Sequence, residues 1–183
     1  MVREPFLANR TEAKEKNYLE EKSQSFSISP IGVIHSRHTK PEETPIQPVF
    51  AADCKGEVEV FPEFGEGLMD VERYSHLYLL YYLHKAGNVQ LLAKPFLQNQ
   101  LHGIFSTRAP ARPNYIGLSI VKLLRREKNV LFIEGVDILD GTPLLDIKPY
   151  LTRFDRVETL RNGWQDGVDD ETAWRCGRQG YRG

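Results

Sequence analysis

From Phe26 onward the apolar positions fall in short runs and alternations rather than in a helical stripe. Residues 57–60 alternate charged and apolar side chains, as a half-buried strand does, and Ile31 and Val33 head a short apolar run. LYLLYYL, bracketed by His76 and His84, suits a buried strand and falls far short of the ~18 apolar residues of a membrane span. Residues 104–107 and 116–124 read as two more strands, and 130–139 as another with Gly135 as its bend point. Asp140-Gly141 makes a turn, Pro143 stiffens its exit, and LLDI runs on as a strand to Pro149. KPEETPIQPVF, with prolines at 41, 45 and 48, reads as an extended crossing, residues 63–71 as a loop or single helical turn, and 85–100 as a further connection.

Several strands, turn signals at short intervals and no long helical pattern predict a mainly all-β chain. The expected form is a small single-sheeted β-barrel with short helical or disordered extensions. The expected divisions are a charged extension over 1–25, a barrel domain over 26–155 and a tail over 156–183. TEAKEKNYLEEK in the extension fits a short exposed helix capped by Thr11, or a disordered segment. Residues 163–183 hold Trp164 and Trp174 but little apolar periodicity and read as a loose tail.

Composition narrows the class. A chain of 183 residues, 40% hydrophobic and 27% charged, suits one globular domain with a real core. Cys54 and Cys176 lie far apart without metal-ligand spacing, His35, His38 and His102 form no metal pattern, and the first residues lack a secretion signal, so a reducing, cytoplasmic setting is expected. The net charge of −1 speaks against wholesale coating of nucleic acid, yet charge is uneven. Residues 42–72 carry nine acids against Lys55 alone, whereas 94–128 carry seven bases against Glu127.

The basic segment contains the most informative stretch, GIFSTRAPARPNYIGLSIVKLL over 103–124. Pro110 and Pro113 remove two backbone donors and bias Ala109 and Arg112 toward extended angles, which stiffens the connection. It holds two guanidinium groups, Arg108 and Arg112, shaped for bidentate capture of phosphate or carboxylate. Asn114 adds an amide able to read a base edge, and Gly117 permits close approach of a backbone or ligand. Composition alone leaves two readings open, a solvated surface hairpin and an anion-capturing loop.

FSTRAPARPNYIGLS resembles the hallmark segment of the TrmO family, the TsaA-domain tRNA methyltransferases. IGVIHS from Ile31, YSHLYLLYYLH from Tyr74 and DGTPLLDIKPYL from Asp140 resemble the same family in the same order. The resemblance covers about residues 28–152. It implies a β-barrel in place of the Rossmann-type sheet, in keeping with the lack of a G-x-G-x-x-G after the first strand. It also implies methyl transfer from S-adenosylmethionine to N6 of threonylcarbamoyladenosine beside the tRNA anticodon, and a homodimer with the site near the subunit boundary.

The resemblance places the cofactor on Gln47, Pro48, Val49, His84, Lys85, Arg108, Leu118, Asp140, Gly141, Thr142 and Pro143. The residue types suit the ligand: an adenine face for Leu118 and Pro143, a carboxylate for Arg108, hydroxyls and amines for Asp140. Arg112 and Asn114, with Tyr115 and Lys148, are the expected substrate contacts, Tyr115 standing where the family commonly has proline and offering a ring for stacking. Asp140, Arg112 and Asn114 are the expected catalytic set, and the proton acceptor stays open between Asp140 and a water. A non-catalytic barrel that binds S-adenosylmethionine or RNA is the alternative reading, as is methylation of another substrate.

Overall fold

The computed structural model describes residues 25–177. The helix expected around Thr11 lies outside them. Six strands close into an antiparallel barrel in the order β1 (Gly32–Ser36), β2 (Lys55–Val60), β7 (Val130–Glu134), β6 (Ile116–Glu127), β3 (His76–Tyr82) and β8 (Thr142–Pro149), with β8 returning to β1. Two-residue strands β4 (Leu92–Ala93) and β5 (His102–Gly103) form a separate ribbon. The expected barrel is therefore the observed one.

Alternation decides which face goes inward. On β3, Leu77, Leu79 and Tyr81 are buried; on β6, Gly117, Ser119, Val121 and Leu123; on β7, Leu131 and Ile133. All of these but Gly117 and Ser119 join Ile34, Val58, Val60, Val136, Ile138 and Leu144 in one core. Burying each large apolar side chain contributes about 2 kcal/mol, and closure leaves the barrel itself without an unpaired edge. Register shifts near Leu124 on β6 and Leu145 on β8 let these long strands bend around the small barrel.

Several local expectations are corrected. Residues 104–107 are not a strand: Ile104–Ser106 is a 3-10 turn, because the bonds of Thr107, from both its backbone N–H and its hydroxyl, go back to the Ile104 carbonyl. The strand expected over 130–139 stops at Glu134, since Gly135 takes φ +86° and turns the chain across the barrel end. The proline-rich crossing is compact, with 3-10 turns at Pro41–Glu43 and Pro48–Ala51. Nor is the tail loose over 163–177. After the short α1 (Thr152–Asp155), a 3-10 turn at Gly163–Gly167 leads to α2 (Asp170–Gly177), which Asp169 caps through the backbone and hydroxyl of Thr172.

The tail also packs on the barrel's loops. Trp174 meets Phe50 edge-on with ring centroids 5.4 Å apart, and Ile46 donates its N–H to Gly177 at 3.0 Å. Trp164 donates its indole N–H to the Ser106 carbonyl at 2.8 Å and stacks on His102. Both loops so gripped carry candidate site residues.

Candidate cofactor and substrate site

Antiparallel register brings one set of strand ends to a single mouth: the C-terminal ends of β1, β3 and β7 and the N-terminal ends of β2, β6 and β8. The Asp-Gly-Thr-Pro turn sits there. Asp140 and Gly141 donate their N–H groups to His38 and Ile34 at 2.7 and 3.0 Å, and Gly141 takes φ +73°, with open space where a Cβ would stand. The Asp140 carboxylate accepts from the Ser36 N–H at 3.1 Å and lies 3.5 Å from His35 Nδ1. Buried Thr142 donates to the Leu139 carbonyl, and its hydroxyl lies 3.4 Å from His84 Nδ1. Burial, then the neighbouring Lys85 charge, lowers the His84 pKa, so this imidazole is neutral near pH 7.

The arginine loop is held by its own bonds. Thr107 Oγ1 accepts from Ala109 N–H, Arg112 donates to the Thr107 carbonyl at 3.1 Å, and Tyr115 N–H returns to the Arg112 carbonyl. Asn114 and Tyr115 both adopt left-handed backbone angles, φ +67° and +51°, which turn the chain sharply into β6. Arg108 reaches out of the loop and donates to the Gln47 amide oxygen, joining the arginine loop to the proline-rich loop.

The structure therefore gathers Gln47, Pro48, Val49, His84, Lys85, Arg108, Arg112, Asn114, Tyr115 and Asp140 to Pro143 around one barrel end. Val49 and Leu118 are apolar yet more than half exposed, at 58% and 51%. Leu118 points outward from β6, away from the core, so part of the lining lies on the barrel's outer surface. A cleft of about 610 Å³ on that surface is lined by Tyr82, Asn114, Ile116, Pro143 and Leu145 together with the segment from Ser25 to Pro30 that precedes β1. A second cleft of about 330 Å³, against Arg37, Asp53 and Cys54, shares no residue with the candidate set. Lys148 is not brought in. It pairs across from Tyr78 toward the far end of β8 and bonds Asp146 at 2.8 Å, some six residues or about 20 Å along the strand from Thr142.

One cluster escaped the sequence reading. Below the mouth, Ser119 of β6 donates to Asp137 Oδ1 at 2.6 Å, and Tyr81 of β3 lies 3.0 Å from Ser119 Oγ. Since the Ser119 proton is used on Asp137, the Tyr81 hydroxyl is the donor to Ser119, and the chain of donors ends on the carboxylate. Burial pushes the Asp137 carboxyl up to about 7, against the lowering pull of Ser119 and of the Arg108 charge. Burial also raises the Tyr81 phenol, helped by the charge of Asp137. A readable signal existed in Ser119, a polar residue on the inward-facing side of an alternating strand.

The sequence profile of the tRNA-methyltransferase O N-terminal domain matches residues 33–156. The chain belongs to the TrmO family. The matched region spans the barrel except Gly32 and includes every candidate residue above, while the turn at Gly163–Gly167 and α2 fall beyond it. A Pyrococcus abyssi protein named "Probable S-adenosyl-L-methionine-binding protein" is 56% identical over 135 residues, covering 74% of this chain and 73% of its own length. A rat protein named tRNA (adenine(37)-N6)-methyltransferase is 34% identical over 163 residues, covering 82% of this chain but 38% of its own length. The crystal structure of TrmO from Pseudomonas aeruginosa superposes with a TM-score of 0.65 at 40% identity, over 77% of this chain and 63% of that one. This TrmO-family chain thus spans less than two thirds of that solved structure.

Proposed function

We propose that the chain is an S-adenosylmethionine-dependent tRNA methyltransferase that methylates N6 of threonylcarbamoyladenosine next to the anticodon. The observation that carries this reading is the convergence of the arginine loop and the Asp-Gly-Thr-Pro turn on one barrel mouth in a chain of this family. The names of the mammalian relatives support the RNA and the reaction, and those of the archaeal relatives the cofactor.

The residues fit the cofactor. The mouth offers open space at Gly141, solvent-facing aliphatic surface at Val49 and Leu118, and a guanidinium whose hydrogen-bond partner among the described residues is a neutral amide. Bound S-adenosylmethionine supplies an electrophilic methyl group. Arg108, on exchanging Gln47 for a carboxylate, gains a charge-assisted bond roughly twice as strong. Leu118 and Pro143 cover an adenine face, and neutral His84, beside Thr142, orients polar groups without adding charge. Arg112 and Asn114 hold the threonyl carboxylate and the modified base, with the Tyr115 ring for stacking. The acceptor nitrogen is ureido-like and weakly nucleophilic, so positioning by a stiff loop carries much of the rate gain.

A homodimer completes this reading. Ile116, Leu118 and Ile120 form an outward apolar row on β6, each 39% exposed or more, beside Tyr82 of β3. Because Leu118 belongs both to that row and to the cofactor set, a second copy seated on the row borders the site.

The test is transfer of labelled methyl from S-adenosylmethionine to tRNA with and without the threonylcarbamoyl group, followed by nucleoside mass spectrometry. Label is expected on the modified adenosine alone. Arg112→Ala should raise KM for tRNA about tenfold or more while leaving that for the cofactor near the parent value; equal increases in both would refute the division of roles. Tight cofactor binding without label in either RNA would favour the cofactor-binding reading, to which the Pyrococcus relative's name points.

A further inference from the structure

Asp137 is an anomaly in energetic terms. Apart from Tyr81 the barrel core is aliphatic, and a carboxyl placed at its rim gains nothing for packing. Yet it is held with care: Ser119 is 2% exposed, Tyr81 is 7% exposed, and their hydroxyls form a directed chain onto one carboxylate oxygen. The cluster lies near the candidate site through Arg108, whose charge bears on both Tyr81 and Asp137, although Ser119 faces inward on β6 where its neighbour Leu118 faces out. The charged and titratable groups that face Asp137 are Tyr81 from β3 and Arg108 from the arginine loop.

We infer that Asp137, held by Ser119 and Tyr81 beneath the mouth, receives the proton lost by the acceptor nitrogen during methyl transfer. This rests on the methyltransferase reading. Methylation of an N–H nitrogen must release one proton. The N–C bond forms with the nitrogen's electron pair, the S–C bond breaks with its pair passing to sulfur, and the N–H proton goes to the Asp137 carboxylate. A sulfonium cation and a carboxylate anion become a neutral thioether and a neutral acid, and no further reactant is needed. Loss of both charges together is favoured at a partly buried carboxylate such as Asp137.

Asp140 fits this task less well. Its Oδ1 is engaged by the Ser36 N–H and His35, its side chain is 46% exposed, and among the described residues no hydroxyl chain leads to it. His84, half-buried and neutral, is the competitor to be tested.

The experiment compares single-turnover methylation of threonylcarbamoylated tRNA across pH in the parent and in Asp137→Asn, Ser119→Ala and His84→Gln, with cofactor Kd measured for each. The parent rate should fall as pH drops through about 7. Asp137→Asn should lose about 100-fold in rate at pH 8, with cofactor Kd within about threefold of the parent. Ser119→Ala keeps the carboxyl but removes a bond that favours its ionised form, so the acidic limb should move to higher pH. That shift decides the matter if Asp137→Asn does not fold. Independently of activity, ¹³C-aspartate NMR of the ligand-free protein should show one carboxyl titrating near 7 that is missing from Asp137→Asn.

An unshifted limb in Ser119→Ala, full activity in Asp137→Asn, a limb abolished only by His84→Gln, or no carboxyl titrating above 5 would each overturn the assignment. A parent that methylates modified tRNA while Asp137→Asn is unimpaired defeats this inference alone. A parent that binds cofactor but labels no RNA defeats the methyltransferase reading and this inference with it.

Discussion

Asp137 has a consequence for stability that needs no substrate to observe. Its pKa is about 7 in the folded chain against 3.8 for an unburied aspartate. The native state therefore holds this proton more tightly than the unfolded chain, and the associated stability is full below about pH 4 and lost as pH rises through 7. A shift of about three units corresponds to roughly 4 kcal/mol. Asparagine can still accept from Ser119 but cannot ionise, so Asp137→Asn should raise Tm at pH 8 and lose that advantage toward pH 4. A Tm difference that stays flat between these values would show the carboxyl to be at ease where it lies. At this scale the sequence was informative about the arginine loop and the Asp-Gly-Thr-Pro turn, because both are contiguous strings. Asp137 was missed because its partner, 18 residues earlier, is reached only after the chain bends at Gly135.

Among the elements, the last two are the ones that tie the site's loops together. Trp164 holds the Ser106 carbonyl, two residues before Arg108, while α2 receives the Ile46 N–H and packs Trp174 on Phe50, flanking Gln47 and Pro48. Trp164→Phe keeps the ring on His102 but removes one hydrogen bond worth about 1 kcal/mol. Cofactor Kd is expected to rise about fivefold in a calorimetric titration, with larger loss in Trp164→Ala; an unchanged Kd in both would mean that the loops hold their places unaided. Strands β3 and β6 were legible because alternation and apolar runs are local properties. The turn at Ile104–Ser106 was misread since its residues, Ile, Phe and Ser, suit a strand equally well, and hydrogen bonds from Thr107 settle the matter. Helix α2, eight residues long, is too short to stand without the barrel, so its own sequence gave little sign of it.

For the whole molecule, short strands with frequent turns were enough to indicate a barrel, although strand order was not readable, because β3 must find β6 and β2 must find β7 across long separations. The outward row Ile116, Leu118 and Ile120 is the feature with the largest consequence at this scale. Ile120→Glu should convert a dimer into monomers in sedimentation equilibrium, leaving the barrel folded because the side chain faces outward; a parent chain that is already monomeric at micromolar concentration would remove the dimer from the proposal. The inward side of the same strand carries a different kind of constraint. Tyr81 lies directly across from Gly117, and a Cβ on that glycine would stand 2.2 Å from the tyrosine ring. The two positions are thus a single unit of inheritance: any side chain gained at 117 requires a smaller one at 81, which strips the hydroxyl from Ser119. A Gly117→Ala chain should therefore be less stable than its parent, and Tyr81→Ala in the same chain should return part of the loss.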